Sequence, residues 1–181
     1  MRTEERLADA LKRLMATVAL DDISVMRLAK MCGINRQSFY YHFRNTYDLL
    51  TWVFLNEKIP NLEDEKDFSV SLQHVFNYVE DNYNLIQNTA QSAGKDLLIE
   101  FFFNTFYNIE LKHIAALDVN KVLALEDAKF LASFYGAGFA NMIILWLRDP
   151  QQEPVEVIVK RAKTYFPDYI ENAIKKGEKY A

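Results

Sequence analysis

Residues 24–50 contain two helix-start signals on either side of a single glycine, and this spacing constrains the fold more than any other feature. Ser24 is a favourable N-cap for a short helix that runs through Met31, and Asn35 is a favourable N-cap for a second helix. Gly33 lies between them, and glycine enters the left-handed backbone region without strain. The pattern predicts a helix-turn-helix whose two helices cross closely at Gly33.

The second helix of this pattern sorts its residues onto two faces. Phe39 and Phe43 are four residues apart, so they share one face and are predicted to be buried. Aromatic residues at this density could all belong to a core, but burying three hydroxyl or imidazole groups without partners is costly. The opposite face is therefore predicted to be exposed, with six hydrogen-bonding side chains: Arg36, Gln37, Ser38, Tyr40, Tyr41 and His42.

These six side chains suit the major groove of DNA. An arginine can donate two hydrogen bonds to guanine and a glutamine can bridge adenine, so Arg36 and Gln37 are predicted to read base edges. The other four are predicted to donate hydrogen bonds to phosphates. They are Ser38, Tyr40, Tyr41 and His42.

The same stretch carries a family pattern, in which small-x-x-small-Gly-aliphatic leads to Phe-Tyr-x-His-Phe and then to a leucine. The matching residues are Ala29, Cys32, Gly33, Ile34, Phe39, Tyr40, His42, Phe43 and Leu49. On these residues the first third of the chain resembles the TetR/AcrR family of transcriptional regulators. Two positions depart from the pattern, because Gln37 stands where a small residue is common and Thr46 where the family usually places a phosphate-contacting lysine. The predicted DNA-binding set is Ser24, Arg36, Gln37, Ser38, Tyr40, Tyr41, His42 and Thr46.

The resemblance implies an all-α chain, with a three-helix DNA-binding domain at residues 1–48 and a helical regulatory and dimerisation domain at residues 49–181. It also implies a homodimer that binds a pseudo-palindromic operator in double-stranded DNA and responds to a small-molecule effector, and we expect a repressor. The helix predicted over residues 45–58 is the family's link between effector and DNA. A narrower resemblance, carried by residues 36–40 and Trp52, is to regulators of dihydroxyacetone kinase operons. It implies the alternative of an activator controlled by a protein partner.

Charge is distributed unevenly along the chain. Residues 1–50 carry 8 Lys and Arg against 6 Asp and Glu, whereas residues 51–181 carry 13 against 19. Only the first part is therefore predicted to approach phosphates. Residues 3–19 predict an amphipathic helix rather than a signal sequence. Cys32 is the single cysteine, which excludes an internal disulfide and favours a cytoplasmic location.

From Phe68 onward the sequence has helical periodicity throughout. A long helix, predicted from Gly94 to about Ala116, carries aromatic residues on more than one face, and their simplest role is a core. The alternative is a pocket for a small apolar effector, which this family often uses. The candidate ligand residues are His74, Phe102, Phe103, Phe106, Tyr107 and His113.

The next helix, predicted over residues 126–147, has small residues at four-residue spacing that allow another helix to approach closely. In the resembled family the last two long helices form a four-helix bundle with a second subunit. The predicted dimer residues are Ala132, Gly136, Ala140, Ile143, Val155, Ile158 and Val159. Residues 130–147 lack charges, but the stretch is at the lower length limit for a membrane span and includes Ser133 and Asn141. We expect no membrane partner and a helix buried on nearly all sides.

A helical metal enzyme is the competing hypothesis. Glu110 and His113 have the Glu-x-x-His spacing that places two metal ligands on one helical face. Di-metal helical bundles need this motif twice, and it occurs once. The chain also lacks a glycine-rich phosphate loop and a nucleophile elbow. We therefore predict no catalytic residue, no metal and no cofactor.

Overall fold

The computed structural model describes residues 2–166 and 168–177, which form ten α-helices and one short 3-10 helix and contain no β-strand. This confirms the predicted all-α class. Pro167, at which the sequence predicts a helix break, is outside the described residues. In chain order the elements are α1 (Thr3–Met15), the 3-10 helix (Leu20–Asp22), α2 (Val25–Met31), α3 (Arg36–His42), α4 (Thr46–Asn56), α5 (Phe68–Asp81), α6 (Tyr83–Ala90), α7 (Lys95–Leu117), α8 (Leu125–Arg148), α9 (Val155–Tyr165) and α10 (Tyr169–Gly177).

Packing groups these helices into two compact units, which we call the N-terminal unit and the C-terminal unit. The N-terminal unit comprises Met1–Lys58 and Asn82–Phe101, and the C-terminal unit comprises Ile59–Asp81 and Phe102–Ala181. Helix α6 and the first residues of α7 therefore pack with the helix-turn-helix. The boundary after residue 48, between a DNA-binding domain and a regulatory domain, stays a prediction.

Helix α1 is the central element of the N-terminal unit and packs against α2, α4 and α6. Its buried residues recur at the helical period because the helix is apolar along one stripe. They are Leu7, Ala8, Ala10, Leu11, Leu14 and Met15. Helix α4 adds four buried residues, Leu49, Leu50, Val53 and Phe54.

Helix α1 ends at Met15, four residues before the end that its periodicity indicates. The reason lies in α6, which is distant in sequence. The side-chain amide nitrogen of Asn88 donates to the carbonyl oxygen of Met15 at 3.2 Å and also to that of Val18, and its Oδ1 accepts the N–H of Leu20 at 2.8 Å. These hydrogen bonds hold residues 15–20 in a turn instead of a helix.

The C-terminal unit encloses a cluster of aromatic rings. Phe76, Phe102 and Phe106 are fully buried. The ring centroid of Phe106 lies 5.5 Å from that of Phe139, and the centroid of Phe76 lies 5.8 Å from that of Trp146. Phe102 and Phe106 of α7 therefore have the core role that is the simplest interpretation of the aromatic residues on this helix.

The small residues of α8 meet α7 within the same unit. A Cβ atom at Gly136 would lie 3.1 Å from the backbone nitrogen of Tyr107, so the glycine allows the two helices to approach closely. A side chain that its own chain encloses is not available to a second copy of the chain. All seven residues predicted for the dimer are buried in this way: Ala132, Gly136, Ala140, Ile143, Val155, Ile158 and Val159.

Helix α8 is nevertheless open on one side, which corrects the expectation of a helix buried on nearly all sides. Phe130 and Phe134 are 68% and 66% exposed, because the other helices of the unit cover only the opposite side. The exposed residues between positions 130 and 145 fall within about 100° of the helix surface at 100° per residue. We call them the α8 apolar face, and they are Phe130, Phe134, Ala137, Gly138, Asn141 and Leu145.

By length and composition α8 could cross a membrane, and it is the one such helix in the described part of the chain. Its most apolar 18-residue window has a mean hydropathy of 1.6, and 39% of that window is buried. The core helix of a soluble protein meets the same criteria.

Candidate nucleic-acid interface

Side chains cap the N-termini of α2, α3 and α4, and the caps of α2 and α3 are the predicted residues Ser24 and Asn35. Ser24 Oγ accepts a backbone N–H of α2 at 3.2 Å. The Oδ1 atoms of Asn35 and Asn45 accept backbone N–H groups of α3 and α4 at 2.7 Å and 2.8 Å. Each bond satisfies one of the free N–H groups in the first turn of its helix, so the caps fix where the helices begin.

Gly33 forms the turn with a left-handed backbone, at φ 62°. Its N–H donates to the carbonyl oxygen of Lys30 at 3.2 Å, and the N–H of Ile34 donates to that of Ala29 at 3.0 Å. This pair of bonds is a Schellman motif, which requires positive φ at the glycine position. A Cβ atom at Gly33 would meet no atom within 4 Å, which corrects the expectation that the glycine is needed for close helix crossing. The backbone conformation is what requires glycine.

Helix α3 buries one face and exposes the other. Phe39 and Phe43 are buried, and their ring centroids lie 5.9 Å apart. Tyr41 is 86% exposed and Tyr40 is 46% exposed. The remaining predicted residues of this helix are exposed or half-buried: Arg36, Gln37, Ser38 and His42.

Four of the predicted DNA-binding residues come together in one surface groove of about 380 Å³. The groove also includes Thr3 of α1, so the first turn of α1 contributes one wall. Its polar lining combines side-chain amide, hydroxyl and imidazole groups, which can donate hydrogen bonds to a nucleic acid. The four residues are Gln37, Ser38, Tyr41 and His42.

Arg36 and Tyr40 are paired on the exposed face. Nη2 of Arg36 donates to the Tyr40 hydroxyl at 3.0 Å, and Nε donates to it at 3.3 Å. The guanidinium carbon lies 5.3 Å from the centre of the Tyr40 ring. Tyr40 therefore orients Arg36, the residue that is predicted to read guanine. The sequence pattern assigns Tyr40 only a separate hydrogen bond to a phosphate and does not indicate this pairing.

His42 makes a contact that the sequence pattern did not indicate. Its Nδ1 lies 3.1 Å from Glu4 Oε1 on α1, so the imidazole faces a carboxylate of its own unit. Glu4 is distant in sequence, and no local spacing links the two residues. The nitrogen held by Glu4 is not free for a phosphate, so His42 can approach DNA only with its remaining ring atoms.

The last two predicted residues lie outside α3. Ser24 caps α2, and Thr46 is half-buried at the start of α4. The sequence interpretation left out Lys30 on α2 and Arg44 between α3 and α4, both of them exposed cations. The surplus of Lys and Arg in residues 1–50 was the available signal for them.

The candidate effector residues are dispersed within the C-terminal unit. Phe102 and Phe106 are fully buried core residues. The ring centroid of Phe103 lies 5.9 Å from that of Tyr107. The other two are half-buried, His74 and His113. A groove of about 430 Å³ in this unit contains none of the six and is lined by α8 and α9 residues that include Trp146 and Arg161.

The metal-enzyme hypothesis rested on Glu110 and His113. In residues 2–166 and 168–177 no three or more His, Cys, Asp or Glu side chains group closely enough to hold a metal ion. One oxygen of Glu110 instead accepts a hydrogen bond from the hydroxyl of Tyr169. The described residues therefore give no support to a metal site there.

Comparison with known proteins agrees with the helix-turn-helix geometry. Residues 7–51 match the family model described as bacterial regulatory proteins of the tetR family, and residues 66–168 match the one described as a transcriptional regulator C-terminal region. The chain belongs to the TetR family of transcriptional regulators. TetR-family proteins bind DNA and typically form dimers, and they are regulators rather than enzymes.

Relatives within the TetR family include the HTH-type dhaKLM operon transcriptional activator DhaS of Lactococcus lactis subsp. lactis (strain IL1403). It is 29% identical over 130 residues, which cover 70% of this chain and 64% of the relative, so the match spans less than two thirds of that protein. Among solved structures, the dihydroxyacetone kinase operon activator DhaS has a TM-score of 0.66 at 22% identity and covers 96% of both chains. The fatty acid degradation regulator FadR from Bacillus halodurans has a TM-score of 0.62 at 13% identity, covering 91% of this chain and 94% of its own. At these identities the solved structures support the fold alone.

Proposed function

We propose that this regulator binds a pseudo-palindromic operator as a homodimer, with α3 of each copy in the major groove of one half-site. The observation that carries the proposal is the exposed face of α3. It presents Gln37, Ser38, Tyr41 and His42 along one groove, and it is held in place by the buried ring of Phe39.

The residue roles in this proposal follow from exposure and position. Arg36 and Gln37 lie in the first turn of α3, where side chains reach base edges, and they read sequence. Tyr40 orients Arg36, and Ser38, Tyr41 and His42 hold the phosphates on either side. Ser24 and Thr46 lie at the N-terminal ends of α2 and α4, where free N–H groups favour an anion.

The proposed dimer forms through the α8 apolar face. An exposed apolar stripe of this kind is typical of a protein interface. Phe134 and Asn141 lie along the middle of this face, so the same helix of a second copy can pack against it. An isologous contact of α8 with its symmetry mate gives the two-fold axis that a pseudo-palindromic operator requires.

The operator proposal is tested by selecting bound sequences from a random DNA pool. Wild-type chain is expected to enrich a motif with inverted half-sites spaced by about one helical turn of DNA. The Arg36→Ala variant is expected to enrich the same motif with one degenerate position in each half-site. Recovery of no enriched motif by the folded wild-type chain would refute specific binding.

We propose that an effector in the C-terminal unit controls the affinity for DNA by favouring one of two dimer geometries. The half-buried candidates Phe103, Tyr107, His74 and His113 are closer to solvent than Phe102 and Phe106, which an effector could reach only if the core opened. As a repressor, the chain would release its operator when the effector binds. We infer that it acts in the cytoplasm, where the operator is.

Trp52 offers a probe for this control. Its ring centroid lies 6.2 Å from that of Phe43, the C-cap of α3, so movement of α3 changes the surroundings of the indole. In a Trp146→Phe variant, Trp52 is the remaining tryptophan. An effector is expected to change this fluorescence and the operator affinity together. Release of DNA with an unchanged Trp52 signal would rule out transmission through α3 and α4.

The second candidate is an activator controlled by a protein partner. The direction of regulation in this candidate is supported by the relative from Lactococcus lactis, which is named as a transcriptional activator. A reporter gene behind the selected operator discriminates the two directions, because deletion of the regulator raises expression for a repressor and lowers it for an activator. A thermal-shift screen of metabolites, compared with capture of partners from lysate, discriminates the two kinds of effector.

A further inference from the structure

Two buried polar atoms on one face of α7 have no hydrogen-bond partner among the described residues. They are Oε1 of Glu110 and Nδ1 of His113. The two residues are three apart, so they lie side by side on the helix. The Glu110 side chain is fully buried. A buried polar group without a partner costs free energy, so this pair calls for a group that supplies hydrogen bonds.

The surroundings of these two atoms are aromatic. The Tyr169 hydroxyl donates to the other Glu110 oxygen, and the Tyr169 ring centroid lies 4.1 Å from that of Tyr135 and 6.2 Å from that of His113. The ring of Phe68 stacks on His113 with 5.9 Å between centroids. We call Glu110, His113, Tyr135, Tyr169 and Phe68 the Glu110 cluster.

The electrostatic balance of the Glu110 cluster is negative. In the described part of the chain no Lys or Arg forms an ion pair with Glu110. Asp67 and Glu171 add negative potential at His113. Burial raises the pKa of Glu110 to about 7, against a smaller opposing effect of the Tyr169 hydrogen bond, and burial lowers the pKa of His113. Burial also raises the pKa values of Tyr169 and Tyr135, so these side chains stay neutral.

We propose that the Glu110 cluster binds the ammonium group of a small organic amine, which is the effector class of this regulator. An ammonium offers three donors, and Glu110 Oε1 and His113 Nδ1 offer two acceptors when the imidazole carries its proton on Nε2. Aromatic rings attract a cation that lies over their faces, and this cluster contributes three rings, those of Tyr135, Tyr169 and Phe68. An alcohol has one donor, so it would leave one of the two acceptors unpaired.

A water molecule in the same place is the simpler occupant, since waters commonly satisfy buried polar groups. The binding of water and the binding of an ammonium group differ in how strongly they depend on the charge of Glu110. A neutral occupant needs no ionised Glu110, whereas an ammonium gains most of its binding from the carboxylate. The test therefore compares a charged with a neutral ligand of the same shape and varies the charge of Glu110.

The experiment titrates the full-length wild-type chain with benzylamine and with benzyl alcohol by ligand-observed NMR at constant ionic strength. At pH 8 benzylamine is expected to bind roughly tenfold more tightly than benzyl alcohol, the factor typical of a charged hydrogen bond. Because protons compete for Glu110, whose pKa is about 7, benzylamine affinity is expected to be about tenfold lower at pH 6 than at pH 8. The amine itself stays protonated over this range.

Glu110→Gln is the decisive variant, because glutamine keeps the shape and the acceptor for Tyr169 but cannot ionise. This variant is expected to bind benzylamine no more tightly than benzyl alcohol, and its affinity for benzylamine is expected to be the same at pH 6 and pH 8. Glu100→Gln is the matched control, since Glu100 is an exposed carboxylate on the same helix, and its titration is expected to match the wild type. Circular dichroism and thermal unfolding check that both variants are folded.

Equal affinities for the amine and the alcohol, or unchanged amine binding by folded Glu110→Gln, would overturn the proposed ammonium site. The effector assignment rests on the proposed function, so operator binding is measured with and without benzylamine in the same variants. A Glu110-dependent change in operator affinity supports the assignment, and amine binding that leaves operator affinity unchanged overturns it. Failure of the amine-free chain to bind any operator would refute the proposed function alone, since amine binding is measured without DNA.

Discussion

The guanidinium of Arg36 donates a hydrogen bond to the hydroxyl of Tyr40 at 3.0 Å on the exposed face of α3. If Arg36 reads guanine, Tyr40 affects base preference by orienting Arg36. Arg36→Ala is expected to cost about 1 to 3 kcal/mol on the selected operator and to relax one base preference. Tyr40→Phe is expected to cost about 1 kcal/mol at the same base pair, because it removes one hydrogen bond and keeps the ring.

A double-mutant cycle on wild-type and substituted operators measures this relationship. In the Arg36→Ala background, Tyr40→Phe is expected to have no further effect on base preference. Uniform weakening on all sequences by Tyr40→Phe would instead assign it the separate phosphate contact that its position in the sequence suggests.

Gly33 determines the geometry of the turn through its backbone. Gly33→Ala is expected to lower the free energy of unfolding by about 1 kcal/mol, because alanine is strained at a φ of 62° even though its Cβ atom meets nothing within 4 Å. Gly33→Asn is the matched control and should cost less, since asparagine tolerates this region. Urea denaturation of the three proteins at equal concentration measures the difference, and equal stabilities would contradict the role of the backbone.

Gly136 and Gly138 are two residues apart on α8 and differ in what a side chain would meet. A Cβ atom at Gly136 would lie 3.1 Å from the Tyr107 backbone nitrogen, whereas one at Gly138 would meet nothing within 4 Å. Gly136→Ala is expected to cost about 1 to 3 kcal/mol through overpacking. Gly138→Ala is expected to be neutral or to stabilise by up to about 1 kcal/mol through helix propensity. Thermal unfolding that ranks the two variants in the opposite order would show that α8 does not pack on α7 at Gly136.

Phe134 lies in the α8 apolar face and is 66% exposed. Phe134→Glu is expected to dissociate the dimer at micromolar concentration, because it would place two like charges near the symmetry axis of an apolar interface. Val119→Glu is the control, since Val119 is an exposed apolar residue in the loop after α7. Sedimentation velocity measures both variants, and a Phe134→Glu variant that remains dimeric would place the interface elsewhere.

Glu110 is expected to make stability depend on pH in a direction unusual for a carboxylate. Its pKa is raised from 4.5 to about 7 in the folded chain, so the folded state holds the proton more tightly than the unfolded state. Its contribution to stability is fully present below pH 4.5 and is lost as the pH rises to about 7, in total about 3 kcal/mol. The difference in unfolding free energy between Glu110→Gln and wild type should therefore change between pH 5 and pH 8. A difference that is the same at both pH values would contradict the raised pKa.

Local signals in the sequence determined the helix-turn-helix. Ser24 and Asn35 cap the helices that their positions predict, and Gly33 takes positive φ. Capping and turn conformations depend on residues within one turn of the chain, so the sequence alone indicates them. The burial of Phe39 followed from helical period alone. The all-α class follows from the same periodicity over longer segments.

Contacts between distant segments decided the rest. Asn88 ends α1 early and Glu4 holds His42, and neither partner lies near its target in sequence. The faces of α8 show most clearly what the sequence cannot predict. Gly136 and Phe134 are both compatible with an interface when only composition and spacing are known. Which one is enclosed depends on where α7 lies against α8, and that position is set by the packing of the whole unit rather than by the sequence of either helix.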